Sequence, residues 1–375
     1  MRKQLINANH GYEPQKKLWK QFRSKLRGII SSAVRDNSTN ALNVIPTCRD
    51  TFSASLIKFE SHNNALIFFL IVFLAIFYTD MSCARTVTDE VGRSVNITSK
   101  PQRIVSLAPG ITETLYALSL GDKIAGVTTF CDWPTAARTK PRIGGFTNPS
   151  IEKIVSLKPD LIIATADGNR KDTVLQLERL NLPVYVTNPS DTNGILRSIL
   201  HIGEITNREK DAGKLVEKLQ KRLNNITVQT NPKRKPRVFF QIGLEPLVTA
   251  GKGTLINEVI ERAGGVNIAG HDVARYPRYS SEGIMGASPE IILFAPMIND
   301  KEFTMVKKFW REFKGIPAVK NNKIYPIKTD LISRASPRIV DAIEKIALIF
   351  HPEITGMNPN ASFGGLYPTK RRIIR

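Results

Sequence analysis

The chain has 375 residues, 42% hydrophobic and 23% charged, which is enough for two ordinary folded domains. Part of its formal net charge of +21 sits at the two ends, and the middle stays basic with its Lys and Arg scattered. It forms no basic stripe interleaved with aromatics, which argues against a nucleic-acid binder.

Residues 1–64 precede an uncharged apolar run at 65–78. A helix of that length spans about 21 Å, short of a ~30 Å hydrocarbon core, so the run suits a signal-peptide h-region better than a membrane span. Ser82 and Ala84 are small residues at the −3 and −1 positions of a cut after Ala84, and Asp80 sits where a lipobox wants an apolar residue. Residues 65–84 therefore predict a leader and a periplasmic or extracytoplasmic product, with a retained membrane anchor as the other outcome. The extension 1–64 is too long for a normal n-region, and a start codon assigned too early is the simplest account. Its basic amphipathic stretch at 16–30 also suits a membrane surface. Of Cys48, Cys83 and Cys131, only Cys131 survives the cut, which excludes an intramolecular disulfide and a cysteine metal cluster.

From residue 103 short apolar runs alternate with helical patterns. "RIVSLAP" reads as a strand, "ITETLYALSLG" as a helix, "KIAGVT" as a strand, and "SIEKIVSLKP" as a helix capped by Ser150. "DLIIAT", "KDTVLQLERLN" and "PVYVTN" continue the rhythm. One long helical pattern then runs from Thr192 to about Val228, with Asp191 as N-cap. The α/β rhythm resumes at "RVFFQIG" and ends with a helix expected to start at Ser336 and Pro337. Strands alternating with helices predict parallel sheets. The fold class is α/β: two similar lobes, 85–190 and 231–350, joined by one backbone helix within 191–230. A ligand cleft lies between the lobes and a tail covers 351–375.

The lobes share a repeat. Residues 151–163, "IEKIVSLKPDLII", match 281–293, "SEGIMGASPEIIL", at a constant offset, so that Glu152 meets Glu282, Pro159 meets Pro289 and Asp160 meets Glu290. Two equivalent units need the same buried apolar positions. An acid at a helix start favours the helix dipole, which accounts for each glutamate singly.

The stretches "RIVSLAPGITETLYALSLG" (103–121), "GVTTFCDWP" (126–134), "IGGFTNPSIEKIVSLKPDLIIA" (143–164), "RVFFQIGLEPLVTAGKGTLINEVIERAGGVNI" (237–268) and "RASPRIVDAIEKI" (334–346) together resemble the helical-backbone substrate-binding proteins of ABC importers. Within that group the chain is most similar to the periplasmic cobalamin (vitamin B12)-binding proteins. The resemblance implies a monomeric, non-enzymatic receptor that needs no cofactor and carries cobalamin or a related corrinoid as its transported ligand. Its partners would be a membrane permease and, through it, an ATPase. It implies ligand contacts at Ala108, Pro109, Gly110, Phe130, Trp133 and Phe146 in the first lobe, and at Tyr276, Asp330 and Arg334 in the second. It also implies that Glu152 and Glu282 dock on permease arginines. Thr165 and Leu331 stand where some cobalamin binders carry Trp, so a ferric siderophore stays open. So does haem, with Tyr276 or Tyr279 as axial phenolate. His201, His271 and His351 have no ligand spacing for a free metal ion. "AGKGTL" at 250–255 lacks the full phosphate-loop pattern, and no GxSxG motif marks a nucleophile.

Overall fold

The apolar runs become strands buried on both faces, as parallel sheets covered by helices require. In the first lobe these are β3 (Ile104–Ser106), β4 (Ile124–Val127), β5 (Leu161–Thr165) and β6 (Val184–Thr187), all parallel in the order β4-β3-β5-β6. The computed structural model describes residues 84–295 and 300–354. The chain divides after Tyr78, and the described residues belong to the unit Thr79–Arg375. The extension, the apolar run and the tail beyond 354 lie outside the described residues. An antiparallel hairpin, β1 (Ala84–Thr88) with β2 (Ser94–Thr98), precedes the first sheet.

The second lobe repeats the plan. Its strands are β7 (Arg237–Gln241), β10 (Val266–Asn267), β11 (Ile291–Phe294) and β12 (Ile324–Pro326), parallel in the order β10-β7-β11-β12. A two-residue pair, β8 (Gly243–Leu244) with β9 (Leu247–Val248), branches from it. In both sheets the first strand of the lobe sits between the second and the third.

Period-two alternation explains the layering. Leu161 and Ile163 face one core, and Ile162 and Ala164 face another. Likewise Ile291 and Leu293 point to the same inner core as Leu161, whereas Ile292 and Phe294 point to an outer one around Trp310. The inner core is therefore continuous through both lobes, and each lobe has its own outer core.

The helices in chain order are α1 (Pro109–Ala117), α2 (Ile151–Ser156), α3 (Lys171–Arg179), α4 (Thr192–Ile205), α5 (Glu209–Thr230), α6 (Leu255–Arg262), α7 (Ser281–Ala287), α8 (Asp300–Arg311), α9 (Pro317–Lys320), α10 (Thr329–Ser333) and α11 (Ile339–Phe350). The single helix expected over 192–228 is two. α4 ends at Ile205 with Thr206 as its C-cap, Asn207 adopts φ 56°, and α5 starts at Glu209. A left-handed Asn is an ordinary helix stop. The bend is tight, because a Cβ on Gly203 would lie 2.4 Å from that of Ala212. The periodicity conceals the break: Ile205, Ala212, Leu219 and Ile226 keep a seven-residue spacing across it and are all buried. Ser336 does not cap α11, which starts at Ile339. Its hydroxyl accepts from the Arg338 N–H and donates to Glu113 instead.

The repeat extends to local chemistry. Ser150 and Ser280 cap α2 and α7 through hydrogen bonds from Lys153 and Gly283 backbone N–H groups. Ile154 and Ile284 are both fully buried. Lys158 and Ser288 both have positive φ, at 47° and 49°. Arg103 donates to the Leu157 and Lys158 carbonyls, and Arg237 to that of Ser288. Asp160 accepts from the Arg103 N–H and Glu290 from the Arg237 N–H.

α5 is fastened to α11 by Arg222, which reaches Asp341 at 2.7 Å and Glu344 at 2.6 Å. Burial pushes the Asp341 carboxyl up to about 6, against the pull of Arg222 and with help from Glu344, which shares the same guanidinium. A carboxyl raised in the folded state contributes stability that is full below its unfolded value near 4 and is lost as pH rises through about 6. Wild type minus Asp341→Asn stability is therefore expected to fall by about 1–3 kcal/mol between pH 4 and 7. Denaturant unfolding of both proteins across that range measures it, and a flat difference contradicts the assignment.

Candidate functional site

In an open parallel sheet, ligands bind beyond the carboxyl ends of the strands where the order reverses. Here that point lies past β3 and β5, and it opens into a cavity of about 640 Å³. The first lobe lines it with Ala108–Ile111 after β3, Thr165 and Asp167 at the end of β5, and Thr187 and Pro189 after β6. The loops at Phe130 and at 145–148 complete that wall. The second lobe contributes Asp330, Ser333, Arg334 and Ala335, following β12.

Two first-lobe residues set the shape of this wall. Asn169 is buried; its Oδ1 accepts from the Thr165 N–H, and its Nδ2 donates to the carbonyls of Leu107 and Phe146. One amide thus ties the ends of β3 and β5 to the Phe146 loop. Gly168, at φ 110°, lies against the Phe146 ring, where a Cβ would come within 2.1 Å. Phe146 is thereby held half-buried at the wall, while Phe130 is 59% exposed at the mouth.

Across the cleft floor the lobes are joined by charge. Glu113 on α1 is fully buried. Its Oε1 accepts from Arg334 Nη1 at 2.9 Å and Arg338 Nη1 at 3.1 Å, and its Oε2 accepts from Ser336 Oγ at 2.7 Å. Arg334 Nη1 also donates to Asp132, and Nη2 donates to Asp330 and to the Phe130 carbonyl. Burial pushes the Glu113 carboxyl up, against Arg338, Ser336 and Arg334, which pull it down. Burial would raise Asp132 too, but the bond from Arg334 prevails and holds it below the usual carboxylate range. The Arg338 guanidinium lies 4.4 Å over the Trp133 ring, a cation–π contact beneath the cleft.

A periplasmic binding protein family model matches residues 104–331, which includes both cleft walls up to α10. The chain belongs to that family. Two of its relatives and one further structure are informative. The chain is 31% identical over 275 residues to an uncharacterized ABC transporter substrate-binding lipoprotein of Bacillus subtilis, covering 72% of this chain and 86% of the relative. A crystal structure of the periplasmic vitamin B12-binding protein of Vibrio cholerae matches with a TM-score of 0.60 at 29% identity, covering 67% of this chain and 97% of that one. A structure described as a possible iron-binding periplasmic protein of Staphylococcus epidermidis matches with a TM-score of 0.60 at 28% identity, covering 67% and 98%. The chain is the substrate-binding component of an ABC transporter, which implies a permease partner, and it is not an enzyme. No helix among the described residues is long and apolar enough to cross a membrane.

Of the ligand contacts expected from sequence, Ala108, Pro109, Gly110, Phe130, Phe146, Asp330 and Arg334 converge on the cavity. Trp133 packs on the inner core under Arg338, and Tyr276 is 56% exposed outside the cavity lining. The Tyr279 hydroxyl donates to Asp272 at 2.7 Å, and burial with that bond pushes its phenol up to about 12, unfavourable for an axial phenolate. Among the described residues no three His, Cys, Asp or Glu side chains group as a metal site. Glu113, Arg338 and Asn169 do not stand out in the sequence, and Ser336 did so only as a helix start. Asn169 had one signal, a lone Asn between a strand end and a helix start, where such side chains bond to the backbone.

The lobes also meet at Gly110, where a Cβ would fall 2.4 Å from the Ala335 carbonyl oxygen. Both sides of that contact are backbone, so Gly110→Ala must part the lobes. We expect a loss of about 1–3 kcal/mol in chemical denaturation. Unchanged stability would contradict the close approach.

Proposed function

We propose that the chain is exported and that its cleft captures cobalamin or a related corrinoid for delivery to the permease. The observation that carries this reading is the lining. Phe130, Phe146, Pro109 and Ile111 offer apolar surface, and Thr147, Asn148, Thr165, Thr187 and Ser333 offer uncharged hydrogen-bonding groups. A corrin is a flat apolar ring with an amide-fringed rim, which needs both kinds of surface. The match to the vitamin B12-binding protein of Vibrio cholerae supports the same ligand. A second reading, a ferric siderophore, is favoured by the Staphylococcus epidermidis match and by Thr165 in the lining, where some cobalamin binders carry Trp.

Protein purified from the native envelope of corrinoid-fed cells tests both parts. Its intact mass is expected to begin at Arg85, and its visible spectrum to show one corrinoid per chain. Phe146→Ala should weaken cyanocobalamin binding by about tenfold, the loss of one aromatic contact. A mass that retains residues 1–84 removes the leader reading. A ferric chelate spectrum in place of a corrinoid moves the ligand to the second reading.

Glu152 and Glu282 are the proposed docking points for the permease. Each is exposed in the first turn of an equivalent helix. Glu152 is held below the usual carboxylate range by its own backbone N–H and by Ser150, and Glu282 by its own backbone N–H and by Ser280, so both are charged at neutral pH. A receptor with two equivalent lobes can present the same charge twice to a paired permease, where complementarity sets encounter and register. Changing both residues to Ala should leave cyanocobalamin affinity within about twofold and cut transport in reconstituted vesicles by tenfold or more. Wild-type transport by the double variant would show that the glutamates serve only their helix starts.

A further inference from the structure

A chain with net charge +21 keeps an acidic cleft. The charged residues among the described cavity lining are Asp167, Asp330 and Arg334. Arg334 is committed elsewhere: its two terminal nitrogens donate to Glu113, Asp132, Asp330 and the Phe130 carbonyl. Arg338 is committed to Glu113 and stacked on Trp133. Within the lining itself, two carboxylates, Asp167 and Asp330, stand against one guanidinium, and Asp330 is already paired with it, which leaves Asp167 as the unbalanced charge. The rest of the lining is apolar or uncharged and polar. An anionic ligand would meet no uncommitted cation here, and it would lose its hydration beside Asp167 and Asp330.

We propose that the cleft sorts its ligands by charge, accepting neutral or cationic ones rich in amide or hydroxyl groups and rejecting those with peripheral carboxylates or phenolates. This rests on the reading of the cleft as the capture site and narrows it. A tris-catecholate ferric chelate or a dicarboxylate porphyrin is disfavoured; an amide-rimmed macrocycle or a cationic ferric hydroxamate is accepted. The selection needs no change of fold, because the unbalanced charge sits on one exposed residue of the lining, Asp167 in the turn after β5, beside the Asp330–Arg334 pair.

The test holds shape nearly constant and varies charge. Binding of cyanocobalamin, its peripheral mono- and dicarboxylates, and an aminoalkyl amide derivative to the full chain is measured by calorimetry at low and high salt. Cationic and neutral ferric hydroxamates against a ferric tris-catecholate form a parallel series. Each added negative charge is expected to weaken binding roughly tenfold at low salt, and the penalty should shrink severalfold at high salt, where the screening length drops to a few ångströms. Asp167→Asn, which breaks no bond of the Arg334 cluster, should ease the penalty about twofold to threefold. Equal affinity across a series, or a penalty unaffected by salt, overturns the charge proposal while capture stands. Failure of every member of both series to bind overturns the capture reading and the charge proposal with it.

Discussion

The junction between the lobes at the cleft floor depends on one buried carboxylate. Glu113 sits on the first helix of the first lobe, and the groups that satisfy it, Arg334, Ser336 and Arg338, all come from the second. Removing a charge from water is costly, and the cost is met here only when both lobes are in place. The guanidinium that answers Glu113 then answers Asp132 and Asp330 as well. A single electrostatic requirement therefore fixes the distance between the lobes, the position of the Phe130 loop and the start of the last helix.

The fold was largely legible because its signals are local. Apolar runs such as "DLIIA" and "EIILF" are buried on both faces, which only parallel strands under helices require. The repeat was legible down to single residues, since two units with the same strand–helix junction need the same Ser cap, the same buried Ile and the same Asp or Glu holding an Arg backbone N–H. The linker was read as continuous because Ile205 and Ala212 keep the helical phase while the chain turns between them. Periodicity reports which face is buried, and a left-handed Asn that preserves the face leaves no trace in it.

The site was legible only in part, for the opposite reason. The family resemblance marked Phe130, Phe146 and the Ala108–Gly110 turn, and all of them line the cavity. The lock was hidden, because Glu113 lies in "ITETL", an ordinary helical pattern, and the residues that bury it follow more than 200 positions later. Trp133 and Tyr276 are aromatic residues in loops like the others, yet one is drawn under the cleft by Arg338 and the other stands outside its lining. A motif identifies a candidate, and the packing around it decides where it points.

The continuity of the inner core bears on how such a receptor can change. Leu161 and Ile163 of one sheet belong to the same buried cluster as Ile291 and Leu293 of the other, together with Leu219 and Leu223 of α5. Each lobe therefore shares part of its interior with the other, and a hybrid that grafts one lobe from a relative has to match that shared cluster. Variation is left to the strand-end loops, where Thr147, Asp167 and Ser333 can be exchanged without touching the layer beneath. Retuning the specificity of this scaffold is therefore a problem of its rim, and its interior is inherited whole.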